Sequence, residues 1–85
     1  DIEKARSEKN KGNECYWSGE LDEALHFYNI AIGLCPEEEK EDLAIFYFNK
    51  GMTYQKQNNT EKSKLNFERS ILYKPKYSKP HWHLA

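Results

Sequence analysis

The chain has 85 residues, with 13 Lys and Arg against 14 Asp and Glu, 38% hydrophobic and 14% aromatic residues, and a formal net charge of -1. So near-neutral a balance supplies no global field for nucleic acid or anionic lipid, and any bound anion must be held by a local site. No apolar run approaches the roughly 20 residues that span a bilayer, no signal peptide is visible, and the aromatic content argues against disorder.

The first element is expected over 3–18, a polar helix carrying Lys9, Gly12 and Asn13 and stopped by Gly19. The second, over 21–35, is amphipathic. Leu21, Ala24, Leu25, Tyr28, Ala31, Ile32 and Cys35 follow helical spacing before Pro36 ends it. The run "EEEKED" (37–42) reads as a solvated connection to a third helix over 42–57, which holds Phe46, Tyr47, Phe48, Asn49, Gly51, Met52 and Tyr54. Asn58, Asn59 and Thr60 supply a turn and cap for a fourth helix over 60–73, closed by Pro75. A fifth starts near Ser78, where Pro80 is tolerated in a first turn. The expected class is all-α.

The two halves repeat. With Gly12 set against Gly51, "KGNECYWSGELDEALHFYNIAIGLCP" faces "KGMTYQKQNNTEKSKLNFERSILYKP". Ala24 meets Ser63, Ala31 meets Ser70, Tyr28 meets Phe67 and Pro36 meets Pro75, at an offset of 39 residues. Glycine inside a helix costs about 1 kcal/mol relative to alanine, so two aligned glycines imply a closely approaching partner helix. Ala24 and Ser63 are the expected matching small surfaces. "KYSKPHWHLA" begins a third copy.

These residues resemble the tetratricopeptide repeat family, whose period is about 34 residues; five more are accommodated here in the acidic connection. The resemblance implies paired antiparallel helices stacked in a superhelix: repeat one over about 5–38, repeat two over about 44–77, and the start of repeat three at 78–85. Glu8 and Lys11 depart from the family pattern, standing where larger apolar residues are usual.

A narrower resemblance is to the members that dock the free C-terminus of cytosolic heat-shock chaperones. Lys9 and Asn13 match that motif in repeat one, Asn49 in repeat two and Lys79 in repeat three, with His83 in place of an arginine. "AIGLCPEEEKEDLAIFYFNKG" and "PKYSKP" point further, to mitochondrial outer-membrane import receptors of that class. The resemblance implies a clamp in which lysines supply charge-assisted bonds and asparagines supply directed neutral donors to a peptide carboxylate. Tyr16, Phe48 and Met52 are expected to wall the groove.

The implied partners are C-terminal peptides of the 70-kDa and 90-kDa chaperone classes and, in a full receptor, mitochondrial preproteins. The implied location faces the cytosol at the mitochondrial outer membrane, held by a segment outside this chain; the alternative is cytoplasmic. A different reading keeps the repeats as a scaffold, or another co-chaperone adaptor, binding an internal peptide or domain without a clamp.

The remaining motifs are read as structural. Cys15 and Cys35 are too few for a disulfide framework, fall at apolar helix positions and read as reduced, buried thiols. His81, Trp82 and His83 lack metal-ligand spacing, so neither metal nor cofactor is expected. No nucleophile–base pair, phosphate loop or carboxylate pair stands out, so no catalysis is expected. Repeat arrays lean on their neighbours, so the chain is expected to be marginally stable or to self-associate through its second repeat.

Overall fold

The computed structural model describes residues 1–73. Over that span the chain forms four α-helices: α1 (Ile2–Trp17), α2 (Leu21–Leu34), α3 (Lys40–Lys56) and α4 (Thr60–Tyr73). Pro75 and the expected fifth helix lie outside the described residues. α1 packs chiefly on α2 and α3 chiefly on α4, while α2 joins the two pairs and α1 touches α3 lightly.

Each pair is folded back by the same turn. Gly19 and Asn58, aligned in the repeat, carry φ of +85° and +63°, the left-handed region open to glycine and tolerated by asparagine. The next amide reaches back to the same place in each preceding helix: Glu20 N to Cys15 O at 2.8 Å, and Asn59 N to Tyr54 O at 2.9 Å. Asn59 also caps α4, its Oδ1 accepting from Lys62 N at 3.2 Å.

α3 begins within the acidic run, which is therefore more than a solvated connection. Asp42 lies in its first turn and takes both Nε and Nη2 of Arg6, each at 3.0 Å. This bidentate pair ties the start of repeat two to α1.

Two apolar clusters hold the layers together, and each draws on three helices. Ala5, Ala31 and Phe46 are fully buried, flanked by Ile2, Ile32, Leu34, Cys35 and Ile45. Phe46 thus inserts from α3 between α1 and α2, coupling the repeats. Nearer the other end of the pair, Tyr16, Ala24 and Tyr28 gather Cys15, Leu21 and Met52. In the second pair, Ser70 Oγ donates to the Ala44 carbonyl at 2.7 Å, a buried polar pin between α4 and α3.

The two helical glycines answer to rings rather than to small residues. A Cβ at Gly12 would lie 2.6 Å from Cε1 of Tyr28, and one at Gly51 would lie 2.6 Å from Cδ1 and Cε1 of Phe67. Close approach was the right inference, but the partners differ from those expected, Ala24 and Ser63. A ring held this close to a helix leaves no room for a Cβ.

The two polar departures in α1 are also accounted for. Lys11 Nζ pairs with Glu8 Oε2 at 3.0 Å and stands 5.9 Å from the centre of the Phe27 ring. Their aligned partners Lys50 and Tyr47 form a different contact, with Nζ 5.7 Å over the Tyr47 ring and Tyr47 stacked on Tyr73.

Candidate functional site

α1 and α3 present Asn13 and Asn49 to each other. Asn49 is completely buried, and its Nδ2 donates to Asn13 Oδ1 at 3.2 Å. The same oxygen receives the Tyr28 hydroxyl at 2.5 Å, so one carbonyl gathers donors from α2 and α3. Tyr28 is fully buried, and burial pushes its phenol well above the usual range, holding it as a protonated donor. The resemblance implies asparagines that offer directed donors to a peptide carboxylate. The structure instead makes them a polar link between repeats, with Asn13 half-buried at its rim.

Lys9 lies one turn before Asn13 and is half-buried. Loss of water pulls its ammonium below the usual lysine value; Asp42 acts in the opposite sense, and Arg6 reinforces the loss. A partly dehydrated ammonium gains more from an arriving carboxylate than a fully solvated one does. Lys9 and Asn13 therefore share one edge of α1 beside the buried Asn49. Lys79 and His83, the other two expected ligands, lie outside the described residues.

The expected groove wall divides. Met52 is half-buried against the Tyr16–Ala24–Tyr28 cluster and stays near the polar link. Tyr16 is only 5% exposed and belongs to that cluster, so its ring is core; Lys56 Nζ stands 4.8 Å over it. Phe48 is 2% exposed and turns toward α4, its ring centre 5.5 Å from that of Phe67. A side chain held there cements repeat two and forms no groove wall. The adjacent Trp17, by contrast, is 68% exposed.

Three charged residues escaped the sequence reading. Arg6 and Asp42 act on the Lys9 ammonium in opposite senses, after the larger effect of burial. Lys50 is half-buried on α3 and is pulled down by lost solvation, then by Arg69 and Lys62. Arg69 also stands 5.7 Å over Tyr47, which places two cations on one ring. Nothing in the spacing of α3 and α4 announced this, because it depends on how the two helices face.

Cys15, Glu20 and Glu23 bring their ligand atoms within 4.8 Å of one another. Burial raises the Cys15 thiol, and Glu23, Glu20 and Glu14 raise it further. Such surroundings hold the proton on sulfur, whereas a metal ligand needs the thiolate. Both cysteines are free thiols.

With this geometry in view, the class of the protein is clear. Residues 44–77 match the tetratricopeptide repeat family, and the chain folds as an all-α tetratricopeptide array, a protein-interaction module. It is 31% identical over 78 residues to the mitochondrial import receptor subunit TOM70 of Rattus norvegicus and, to the same extent, to that of Homo sapiens. Those alignments cover 92% of this chain and 13% of each relative. Protein unc-45 homolog B of Danio rerio is 37% identical over 51 residues, 60% of this chain and 6% of its own length. This chain thus spans a small part of the length of the curated relatives it matches. No solved structure gives a significant match. Among the described residues no helix is long and apolar enough to cross a membrane.

Proposed function

We propose that this chain is a non-catalytic peptide-binding module that takes the acidic free C-terminal peptide of cytosolic heat-shock chaperones, within a mitochondrial preprotein import receptor. The observation that carries the reading is the polar link of Asn13 and Asn49 across α1 and α3, with the partly dehydrated Lys9 one turn away. The similarity to TOM70, an import receptor subunit by name, supports the second half of the proposal. Lys79 and His83, which lie outside the described residues, are the two further ligands the reading calls for. The module faces the cytosol at the mitochondrial outer membrane and is held there by a segment outside these residues. Preproteins are partners of the whole receptor.

A peptide ending in Glu-Glu-Val-Asp, titrated with a free and then an amidated C-terminus, tests the reading. Free-acid binding that weakens with salt and is markedly weaker in Asn13→Ala is expected. Equal binding of the two peptides refutes the clamp and favours a scaffold whose groove takes an internal segment.

A further inference from the structure

We infer that the seam between α3 and α4 carries an anion-binding strip, centred on Lys50 with Arg69 and Lys62, that takes the side-chain carboxylates of an acidic segment of a partner polypeptide. The strip is independent of a clamp for a free C-terminus, since it draws on other side chains and needs no terminal carboxylate. Each helix supplies one stripe at helical spacing: Lys40, Tyr47, Lys50 and Tyr54 on α3, and Lys62, Arg69 and Tyr73 on α4.

Contacts across the pair bring the stripes together. Lys62 Nζ stands 5.6 Å over the Tyr54 ring, Arg69 5.7 Å over Tyr47 and Lys40 Nζ 5.9 Å over Tyr73, while Tyr47 and Tyr73 stack at 5.8 Å. Lys50 is half-buried and faces the same Tyr47 ring, its Nζ 5.7 Å from the centre. The rings thus hold four cations along one seam. Lys50 is short of water and feels Arg69 and Lys62, and no carboxylate acts on it. Among the described residues, Lys50, Lys62 and Arg69 make no ion pair. Residues 74–85 add three lysines and no aspartate or glutamate, so they bring no side-chain counter-charge. An arriving carboxylate relieves both the lost solvation and the mutual repulsion.

Repeat one shows that the strip belongs to this copy and not to the fold. Lys11, aligned with Lys50, has its counter-charge at hand in Glu8, 3.0 Å away. In repeat two that glutamate is Tyr47, while Lys62 stands for Glu23, Lys40 for Asp1 and Arg69 for Ile30. Every exchange removes negative charge or adds positive. From Lys40 to Tyr54 the strip runs about 20 Å at 1.5 Å per residue, the reach of about six residues of extended peptide. A single-stranded nucleic acid fits less well, because its bases need ring faces to stack on. Tyr47 and Tyr73 already stack on each other and face cations as well.

The probe is a hexaglutamate peptide, acetylated and amidated so that a clamp for a free C-terminus has nothing to hold, titrated into the full chain beside a blocked hexaglutamine. Binding of hexaglutamate alone is expected, weakening as salt rises. Lys50→Gln should lower its affinity about tenfold, as a half-buried ammonium, and Arg69→Gln about two- to fivefold, as an exposed cation that cannot threaten the fold. Lys9→Gln should bind the blocked peptide as the wild type does. Amide shifts in an NMR titration should gather on α3 and α4. Absence of binding, equal binding of hexaglutamine, or an affinity that follows Lys9 and ignores Lys50 and Arg69 overturns the strip, and each of these leaves the need for a free C-terminus to its own test. Tighter, Lys50-dependent binding of a single-stranded oligothymidylate would overturn the choice of an acidic polypeptide.

Discussion

Replacing Gly12 by alanine isolates the contact that sets the spacing of the first helix pair. The new Cβ would lie 2.6 Å and 2.8 Å from Cε1 and Cδ1 of Tyr28. Ordinary contact begins near 3.4 Å, so the ring must retreat by most of an ångström. It has little room, being fully buried and hydrogen-bonded to Asn13. Overpacking of this kind costs about 1–3 kcal/mol, and straining the hydroxyl bond adds about 1 kcal/mol. Alanine returns about 1 kcal/mol of helix propensity, leaving a net loss of about 1–3 kcal/mol. For a chain of this size each kcal/mol lowers Tm by about 4–8 °C. Gly33 is the control, since a Cβ there meets nothing within 4 Å, and Gly33→Ala should stabilise α2 by about 0.5–1 kcal/mol. Urea and thermal unfolding of the two variants measure both signs. A Gly12→Ala chain as stable as the wild type would refute the argument that the ring demands the glycine. Gly51→Ala should cost less, because Phe67 is only half-buried and freer to yield.

Phe46→Ala removes the ring that α3 inserts against α1 and α2 in the first cluster, and a loss of about 3–5 kcal/mol is expected, enough to uncouple the two pairs in a denaturant titration. Alkaline stability should report Tyr28. Its folded pKa is raised above the ordinary 10.0, so its contribution is complete below about pH 10 and is lost as pH rises further, when the unfolded chain ionises first. Denaturation midpoints followed from pH 8 to 11 should therefore fall less steeply in Tyr28→Phe than in the wild type. Half-buried Lys9 and Lys50 act in the opposite sense just below 10.5, and the comparison of the two chains cancels them. On the outer face of α4, Leu65 and Leu72 are 56% and 81% exposed where the aligned residues are His26 and Gly33. Sedimentation should show association that grows with concentration and is reduced by Leu72→Lys; a strictly monomeric wild type would contradict this.

Much of the architecture is local in origin and could be read along the chain. The Gly19 and Asn58 turns need only a left-handed residue at the end of a helix, the α2 stripe needs only its period, and Gly12 and Gly51 announce themselves by recurring at one offset. Lys9, Asn13 and Asn49 could be nominated for the same reason, as residue types at repeat positions. Their environment could not. That Asn49 is sealed, that Asn13 accepts from Tyr28, that Phe48 faces α4 and that Asp42 closes on Arg6 all depend on which faces of four helices meet. The substitution of tyrosine for the phenylalanine of the other copy was visible as a letter, yet a hydroxyl in a sequence has no direction. The sequence determined the helices, their repeat and the chemical types at the site, because these follow from backbone preference and periodicity. Only the tertiary structure decided which polar groups are partners, because hydrogen bonds between residues 15 and 36 positions apart exist only once the helices have packed.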